Sequence, residues 1–137
     1  MSKSTSFWGF FKKIEDQLQH RGSTFRKMFE HLDSFNGKVM IVETGCARLK
    51  GNWVGDGCST VLFDKYVNAR NDGSSVQTVD LSPQAVKICK TMVSDKVEIV
   101  QADSVPFLHN FVKEARVKEI CVPLFYLDSF DLDWIYW

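Results

Sequence analysis

The sequence lacks an excess of charge of either sign, because 17 lysines and arginines balance 17 aspartates and glutamates. Nothing in this balance directs the chain towards nucleic acid or an anionic membrane surface. The sequence also lacks an apolar run long enough to span a bilayer and an N-terminal signal-peptide pattern. We therefore expect a cytoplasmic protein that binds neither nucleic acid nor membrane.

Cysteine and histidine are scarce and scattered. The 4 cysteines form no Cys-x-x-Cys pair and lie at Cys46, Cys58, Cys89 and Cys121. This spacing argues against a zinc site or a disulfide framework and favours reduced thiols. The 3 histidines, His20, His31 and His109, fall on predicted helices or their edges, where we expect them at the surface. No pairing of a nucleophile with a base is visible.

The chain has the length of one domain, with 137 residues of which 45% are hydrophobic. Apolar residues at helical spacing predict two helices, over 6–19 and from residue 23 or 24 to about 35. The first helix begins with an aromatic run, Phe7 to Phe11, which suits either packing on the domain or a membrane surface. Packing is the favoured alternative. Residues 1–37 form the N-terminal helical segment, and 38–137 form the main domain.

Strands and helices alternate from residue 38 onwards. The strands are predicted over 38–43, 75–80, 96–101 and 118–128, and the helices over 59–69, 83–93 and 105–115. Such alternation predicts an α/β fold with a mostly parallel sheet and helices on both faces. Ser82-Pro83 is typical of a helix start, with serine as the cap and proline at the first position.

One stretch organises the rest of the chain. The apolar strand Val39 to Val42 ends in Glu43-Thr44-Gly45, and a polar loop rich in glycine leads to Ser59-Thr60. Glycines let a backbone approach a ligand closely, and the first turn of a helix offers free N–H groups to polar or anionic groups. A strand, a glycine turn and a helix start together predict a nucleotide-binding βαβ unit.

At four positions the chain resembles class I S-adenosylmethionine-dependent methyltransferases, which have a Rossmann-like fold. The similar segments cover about 38–131 and are Val42-Glu43-Thr44-Gly45, Asp80 after the second strand, Ala102-Asp103-Ser104, and Leu124-Phe125-Tyr126-Leu127-Asp128-Ser129. All four fall where an open α/β sheet binds ligands, outside the carboxyl ends of its strands. The resemblance implies S-adenosylmethionine as cofactor and a strand order of 3-2-1-4.

The resemblance also implies which residues contact the cofactor. Asp80 would accept hydrogen bonds from the ribose hydroxyls, and Asp103 would accept one from the adenine amino group. Asp80 and Asp103 each have helix capping as an alternative role, although Ser82 already supplies a cap after Asp80. The full predicted set is Glu43, Thr44, Gly45, Gly57, Ser59, Asp80, Leu81, Asp103, Ser104 and Asp128.

The loop after Gly45 departs from the family's compact glycine motif, because 48–57 intervenes before the helix. Within it, Arg48 could pair with the cofactor carboxylate. Trp53 could form a lid or simply pack against the domain.

The acidic group Asp128, Asp131 and Asp133 could hold Mg²⁺, but we assign no metal. The further ligands of such a metal site would follow a fifth strand, and the sequence pattern shows no fifth strand. We instead predict Asp128 as the catalytic group, near the methyl donor or the acceptor.

The resemblance stops after four strands, whereas the family's sheet usually has seven. Strand 4 would then lie at an edge, with Pro123 inside it and an apolar segment, 134–137, available to cover a surface. The chain is then either a truncated or alternatively spliced product that keeps the cofactor half and lacks the acceptor half, or a small self-contained domain. In the second case its C-terminal segment or a partner subunit, such as a second copy in a homodimer, would cover this edge.

We predict methyl transfer to an unidentified acceptor, for which a small hydroxylated molecule is the leading candidate. The alternative is a non-catalytic methyltransferase-like fragment that dimerises or binds a partner. An NAD-dependent enzyme is a third and weaker candidate, because the loop lacks a compact GxGxxG motif.

Overall fold

The structure is a computed structural model that describes residues 4–46 and 58–127. Its helices are α1 (Thr5–Ile14), α2 (Arg21–Asp33), α3 (Ser59–Arg70), α4 (Pro83–Lys90) and α5 (Ser104–Lys118), with a 3₁₀ turn at Glu15–Leu18. Its strands are β1 (Met40–Thr44), β2 (Ser75–Asp80), β3 (Val97–Gln101) and β4 (Leu124–Leu127). No helix within the described ranges is long and apolar enough to cross a membrane.

The strands form one four-stranded sheet in the order β3-β2-β1-β4, and every neighbouring pair is parallel. This confirms the predicted α/β fold and the predicted strand order. The central strand β1 is apolar because both of its faces are covered, and Ile41 and Val42 are fully buried. Parallel pairing brings the carboxyl ends of the strands to one edge of the sheet, where ligands bind in such folds.

Helices α1, α2 and α3 pack on one face of the sheet around a cluster of aromatic rings. The rings of Phe7 and Phe29 lie 4.4 Å apart between centroids, and those of Phe29 and Tyr66 lie 5.0 Å apart. Phe11 is fully buried in the same cluster. The aromatic start of α1 therefore packs on the domain, as the favoured alternative predicts.

Helices α4 and α5 lie on opposite faces of the sheet. Cys89 of α4 packs with Ile99 of β3, which also contacts the aromatic core. Phe111 of α5 contacts Phe125, which points away from that core, with ring centroids 6.2 Å apart. The prediction of helices on both faces is thus confirmed. Within the described residues, α5 is the helix on the second face.

The structure corrects the predicted start of strand 4, which begins at Leu124 and not at Lys118. Helix α5 continues through Lys118, and Glu119 adopts a left-handed φ of 53° while the amide of Ile120 donates to the Ala115 carbonyl. The turn that ends the helix includes Ile120, and Ile120 and Val122 are β-branched residues typical of a strand. Pro123 consequently precedes the strand, where it removes no ladder hydrogen bond.

Helix α4 ends at Lys90, three residues earlier than predicted from the apolar pattern. The amides of Thr91 and Met92 turn back to the carbonyls of Ile88 and Cys89 at 3.0 Å and 2.9 Å. These bonds close the last turn of the helix. The apolar residues that follow therefore lie in a turn and not in the helix.

Candidate ligand site at the carboxyl ends of the strands

The turn after β1 lies at the carboxyl edge of the sheet and depends on Gly45. This residue has a φ of 84°, in the left-handed region that favours glycine. Its amide donates to the Val79 carbonyl of β2 at 2.7 Å. The chain therefore turns sharply at the end of β1 while it stays attached to the neighbouring strand.

Glu43 occupies a fully buried position at the end of β1 and accepts hydrogen bonds from three hydroxyl groups. The Ser59 hydroxyl donates to Oε2 at 2.5 Å, and the hydroxyls of Thr60 and Thr78 donate to Oε1 at 2.5 Å and 2.8 Å. A buried carboxylate requires such partners, because an unpaired one is costly. The Glu43 carboxylate thus ties the first turn of α3 to β1 and β2.

Thr78 belongs to this group but is absent from the predicted site. Its position in the sheet register directly opposite Glu43 brings its hydroxyl to the carboxylate. Thr78 is one of several polar residues in β2, so the strand register is needed to pair it with Glu43.

Asp80 joins the turns that follow three neighbouring strands. Its Oδ2 accepts the amide of Cys46 at 3.1 Å, and its Oδ1 accepts the amide of Ser82 at 2.9 Å. Its main-chain carbonyl accepts the amide of Ala102, after β3, at 3.1 Å. The side chain is 7% exposed, so this fixed carboxylate lies at the border between the core and the carboxyl edge.

The Cys46 thiol lies beside Asp80 and is buried against Cys89. A hydrogen bond with Cys89, burial, and the negative charges of Asp80 and Glu43 together raise the pKa of Cys46 far above its usual value. Because the thiolate is the reactive form of cysteine, this thiol stays protonated and is unsuited to act as a nucleophile.

Asp103 caps α5, because its Oδ1 accepts the amide of Val105 at 2.9 Å. The predicted contact between Asp103 and an adenine amino group stays a prediction. Leu81, after β2, is 70% exposed, and Val105, after β3, is 74% exposed. Ser104 is the first residue of α5, so exposed apolar side chains and a helix start lie together at this edge.

Thr44 is buried at the end of β1, beside the Gly45 turn. The structure thus places the described members of the predicted set around the ends of β1, β2 and β3, which are neighbours in the sheet. The predicted residues Gly57 and Asp128 lie outside the described residues. The same is true of Arg48, Trp53, Asp131 and Asp133.

No cluster of three or more histidine, cysteine, aspartate or glutamate side chains suited to a metal occurs within 4–46 and 58–127. His20, His31 and His109 are exposed, as predicted. The described residues form a fixed polar turn, two helix starts and an exposed apolar surface, which together can bind and orient a ligand.

The chain matches no protein-family model, no curated protein and no solved structure. The structure itself defines a small α/β domain with a parallel four-stranded sheet, compatible with a Rossmann-like fold. Its candidate site lies at the carboxyl edge of that sheet.

Proposed function

We propose that the chain binds S-adenosylmethionine at the carboxyl edge of the sheet and transfers its methyl group to an acceptor. The observation that carries this proposal is the position of Asp80, which is fixed by main-chain amides from the turns after β1 and β2. An acidic side chain at the end of the second strand is where Rossmann-like domains bind the ribose of a nucleotide.

The neighbouring groups suit the other parts of the cofactor. Leu81 and Val105 offer exposed apolar surface for the adenine ring, and the Asp103 carboxylate would accept a hydrogen bond from its amino group. The Gly45 turn and the first turn of α3 would lie along the methionine portion. In this arrangement Glu43 acts indirectly, because its carboxylate holds Ser59 and Thr60 in place.

Methyl transfer would proceed by direct displacement. A lone pair on an acceptor oxygen or nitrogen forms a bond to the methyl carbon as the carbon–sulfur bond breaks, and the electrons of that bond pass to sulfur. S-adenosylhomocysteine leaves, and the acceptor proton passes to a base, a role we assign to Asp128. Alignment of the acceptor with the sulfonium methyl supplies most of the rate acceleration, and no metal is invoked.

A cytoplasmic location and a small hydroxylated acceptor complete the proposal. Cys46, Cys58, Cys89 and Cys121 form no disulfide in the described parts of the chain, which suits a reducing compartment. The balanced charge of the sequence favours a small acceptor over nucleic acid or a membrane surface.

Calorimetric titration with S-adenosylmethionine and S-adenosylhomocysteine tests this proposal. We expect binding to the intact chain and a loss of at least about tenfold in affinity in Asp80→Asn, because a charged hydrogen bond to ribose is removed. Leu81→Ala should also weaken binding, and its exposed position makes a folding defect unexpected.

Asp95→Asn is the matched control, because this exposed aspartate precedes β3 at the opposite edge of the sheet. Asp95→Asn should bind like the intact chain. An absence of binding to the intact chain, or equal affinities in all variants, contradicts the proposal. Preference for NAD would reassign the site to a different class of enzyme.

A non-catalytic role as a partner-binding module is the second candidate, and the β4 edge favours it. Among the described residues β4 pairs with β1 alone, while Phe125 and Leu127 are 42% and 66% exposed. An unpaired apolar edge strand readily adds a strand from another chain, including a second copy of this one. A tight homodimer that ignores the cofactor in mass and affinity measurements would support this role over the enzyme.

A further inference from the structure

Helix α5 carries an exposed groove on one flank, which we call the α5 groove. It has a volume of about 540 Å³ and is lined by Leu108, His109, Val112, Lys113, Arg116 and Val117. Leu108 and Val112 are four residues apart and share one row of the helix, and the basic side chains occupy the adjacent row. The surface is therefore apolar along its floor and basic along its rim.

The basic rim has no acidic partner in the parts of the chain that the structure describes. Neither Lys113 nor Arg116 forms an ion pair there, and the described lining includes no acidic residue. Val112 is 45% exposed and Val117 is 83% exposed. Exposed apolar surface beside unpaired charge of one sign indicates a binding surface for a segment that is both apolar and acidic.

The α5 groove lies on the flank of the helix that is turned away from β2 and β3. The opposite flank of α5 faces β2 and β3, where Asn110 and Glu114 share a cavity with Gln77 and Glu98. Phe111, between the two flanks, contacts the ring of Phe125 in β4. The end of β4 therefore lies directly beside the helix that carries the groove.

The chain that follows β4 has the matching composition. Residues 128–137 include three aspartates and no lysine or arginine, with six apolar residues between and after them. The aspartates are Asp128, Asp131 and Asp133, and the apolar residues are Phe130, Leu132, Trp134, Ile135, Tyr136 and Trp137. This charge is opposite to that of the groove.

The length of this segment also fits. Helix α5 runs from the carboxyl edge of the sheet back to its amino edge, and its 15 residues span about 22 Å. An extended segment of ten residues spans about 33 Å, so 128–137 can follow the whole helix from the end of β4.

We propose that residues 128–137 dock in the α5 groove of the same chain, with Asp131 and Asp133 beside Lys113 and Arg116 and aromatic side chains on Leu108 and Val112. Docking covers the exposed apolar floor of the α5 groove and neutralises its basic rim. The proposal does not depend on the cofactor.

Hydrogen–deuterium exchange of the full chain, read by mass spectrometry, tests this docking. The amides of 128–137 should exchange at least about tenfold more slowly than in an unstructured peptide. The double variant Lys113→Glu with Arg116→Glu should lose this protection, because attraction becomes repulsion. Adding Asp131→Lys and Asp133→Lys to that variant should restore it, since the charges are again opposite.

Lys87→Glu with Lys90→Glu is the matched control, because it reverses two basic residues near the end of a different helix, α4. Lys90 is in the last turn of α4, as Arg116 is in the last turn of α5. This control should leave the exchange of 128–137 unchanged. Unprotected amides in the intact chain, or protection that survives the reversal of Lys113 and Arg116, would overturn the proposal. Protection that appears only as the chain dimerises would overturn docking within one chain and assign the groove to a second copy.

Discussion

At the scale of single residues, the two carboxylates at the strand ends differ in their surroundings. Glu43 is fully buried and accepts from side-chain hydroxyls, so its main effect is to hold α3 against the sheet. Asp80 accepts main-chain amides and lies at the edge of the core, close to where a ligand would bind. Substitutions at Glu43 should therefore alter folding first, whereas substitutions at Asp80 should alter ligand affinity.

We predict that Glu43→Gln lowers the free energy of unfolding by about 2–4 kcal/mol, because an amide cannot accept from all three buried hydroxyls. Urea unfolding followed by circular dichroism would measure this loss. Glu98→Gln is the matched control, since Glu98 is an exposed strand residue whose bond to Gln77 is also exposed. A loss below about 0.5 kcal/mol in Glu43→Gln would show that the buried hydrogen bonds contribute little.

The Glu15–Arg26 pair gives a prediction about pH. Arg26 donates two hydrogen bonds to the Glu15 carboxylate, at 2.7 Å and 2.5 Å, and these bonds lower the pKa of Glu15. The depressed pKa means that the pair stabilises the fold above the ordinary pKa of glutamate, 4.5, and stops doing so as the pH falls through the folded-state value.

Glu15→Gln should therefore cost about 0.5–1 kcal/mol at pH 7, a magnitude limited by the partial exposure of both side chains. The difference from the intact chain should narrow as the pH falls below about 4. Urea unfolding across this pH range would measure it, with Glu30→Gln as a control because Glu30 lies 4.0 Å from Arg26 and is 59% exposed. A constant difference at all pH values would contradict the assignment.

At the scale of secondary-structure elements, Arg70 joins α3 to the end of α2 and to the chain that follows. This side chain is buried, and its guanidinium donates to the main-chain carbonyls of Leu32, Phe35 and Gly37. It also pairs with Asp72, at 3.1 Å. The helical layer therefore depends on one buried cation with several acceptors.

Arg70→Met should lower the free energy of unfolding by roughly 3–5 kcal/mol, because it removes the buried cation that pairs with Asp72 and donates to three main-chain carbonyls. Arg70→Lys should recover only part of this loss, since an ammonium group cannot reach acceptors spread over the planar guanidinium. Chemical unfolding of both variants tests the order of stability, and full recovery by lysine would contradict this account.

The sequence predicts the elements better than their ends. The β1 strand, the Gly45 turn and the Ser82 cap follow from local chemistry, and the structure confirms them. The predicted start of β4 is wrong because the apolar residues after Lys118 fit either a strand or a helix end, and tertiary packing decides between them.

Polar side chains that form hydrogen bonds between distant elements are harder to predict than the strand ends. Asp33 accepts hydrogen bonds from Ser4, Trp8 and Tyr66, which are 25 or more residues away in the sequence. A lone aspartate in a helix predicts only a solvated side chain, and no spacing rule connects it with donors on other elements. The same limit applies to Arg70 and to Thr78.

At the scale of the whole molecule, the two faces of the sheet are covered unequally. Helices α1 to α4 lie on one face, whereas α5 is the helix on the other within the described residues. The aromatic core lies under the first group and gives the sheet a rigid support. The carboxyl edge between α3 and α5 is where the cofactor site is proposed, and the exposed flank of α5 is the proposed docking surface.

Amide chemical shifts of the ¹⁵N-labelled chain on addition of S-adenosylhomocysteine test the central claim most directly. We predict that the largest changes occur at the carboxyl edge, at Gly45, Leu81, Ser104 and Val105. The opposite edge provides an internal comparison, because it also has a pocket, of about 360 Å³, lined in part by Lys38, Gly73 and Ile120. Changes centred on that pocket, or none at saturating ligand, would contradict a cofactor site at the strand ends.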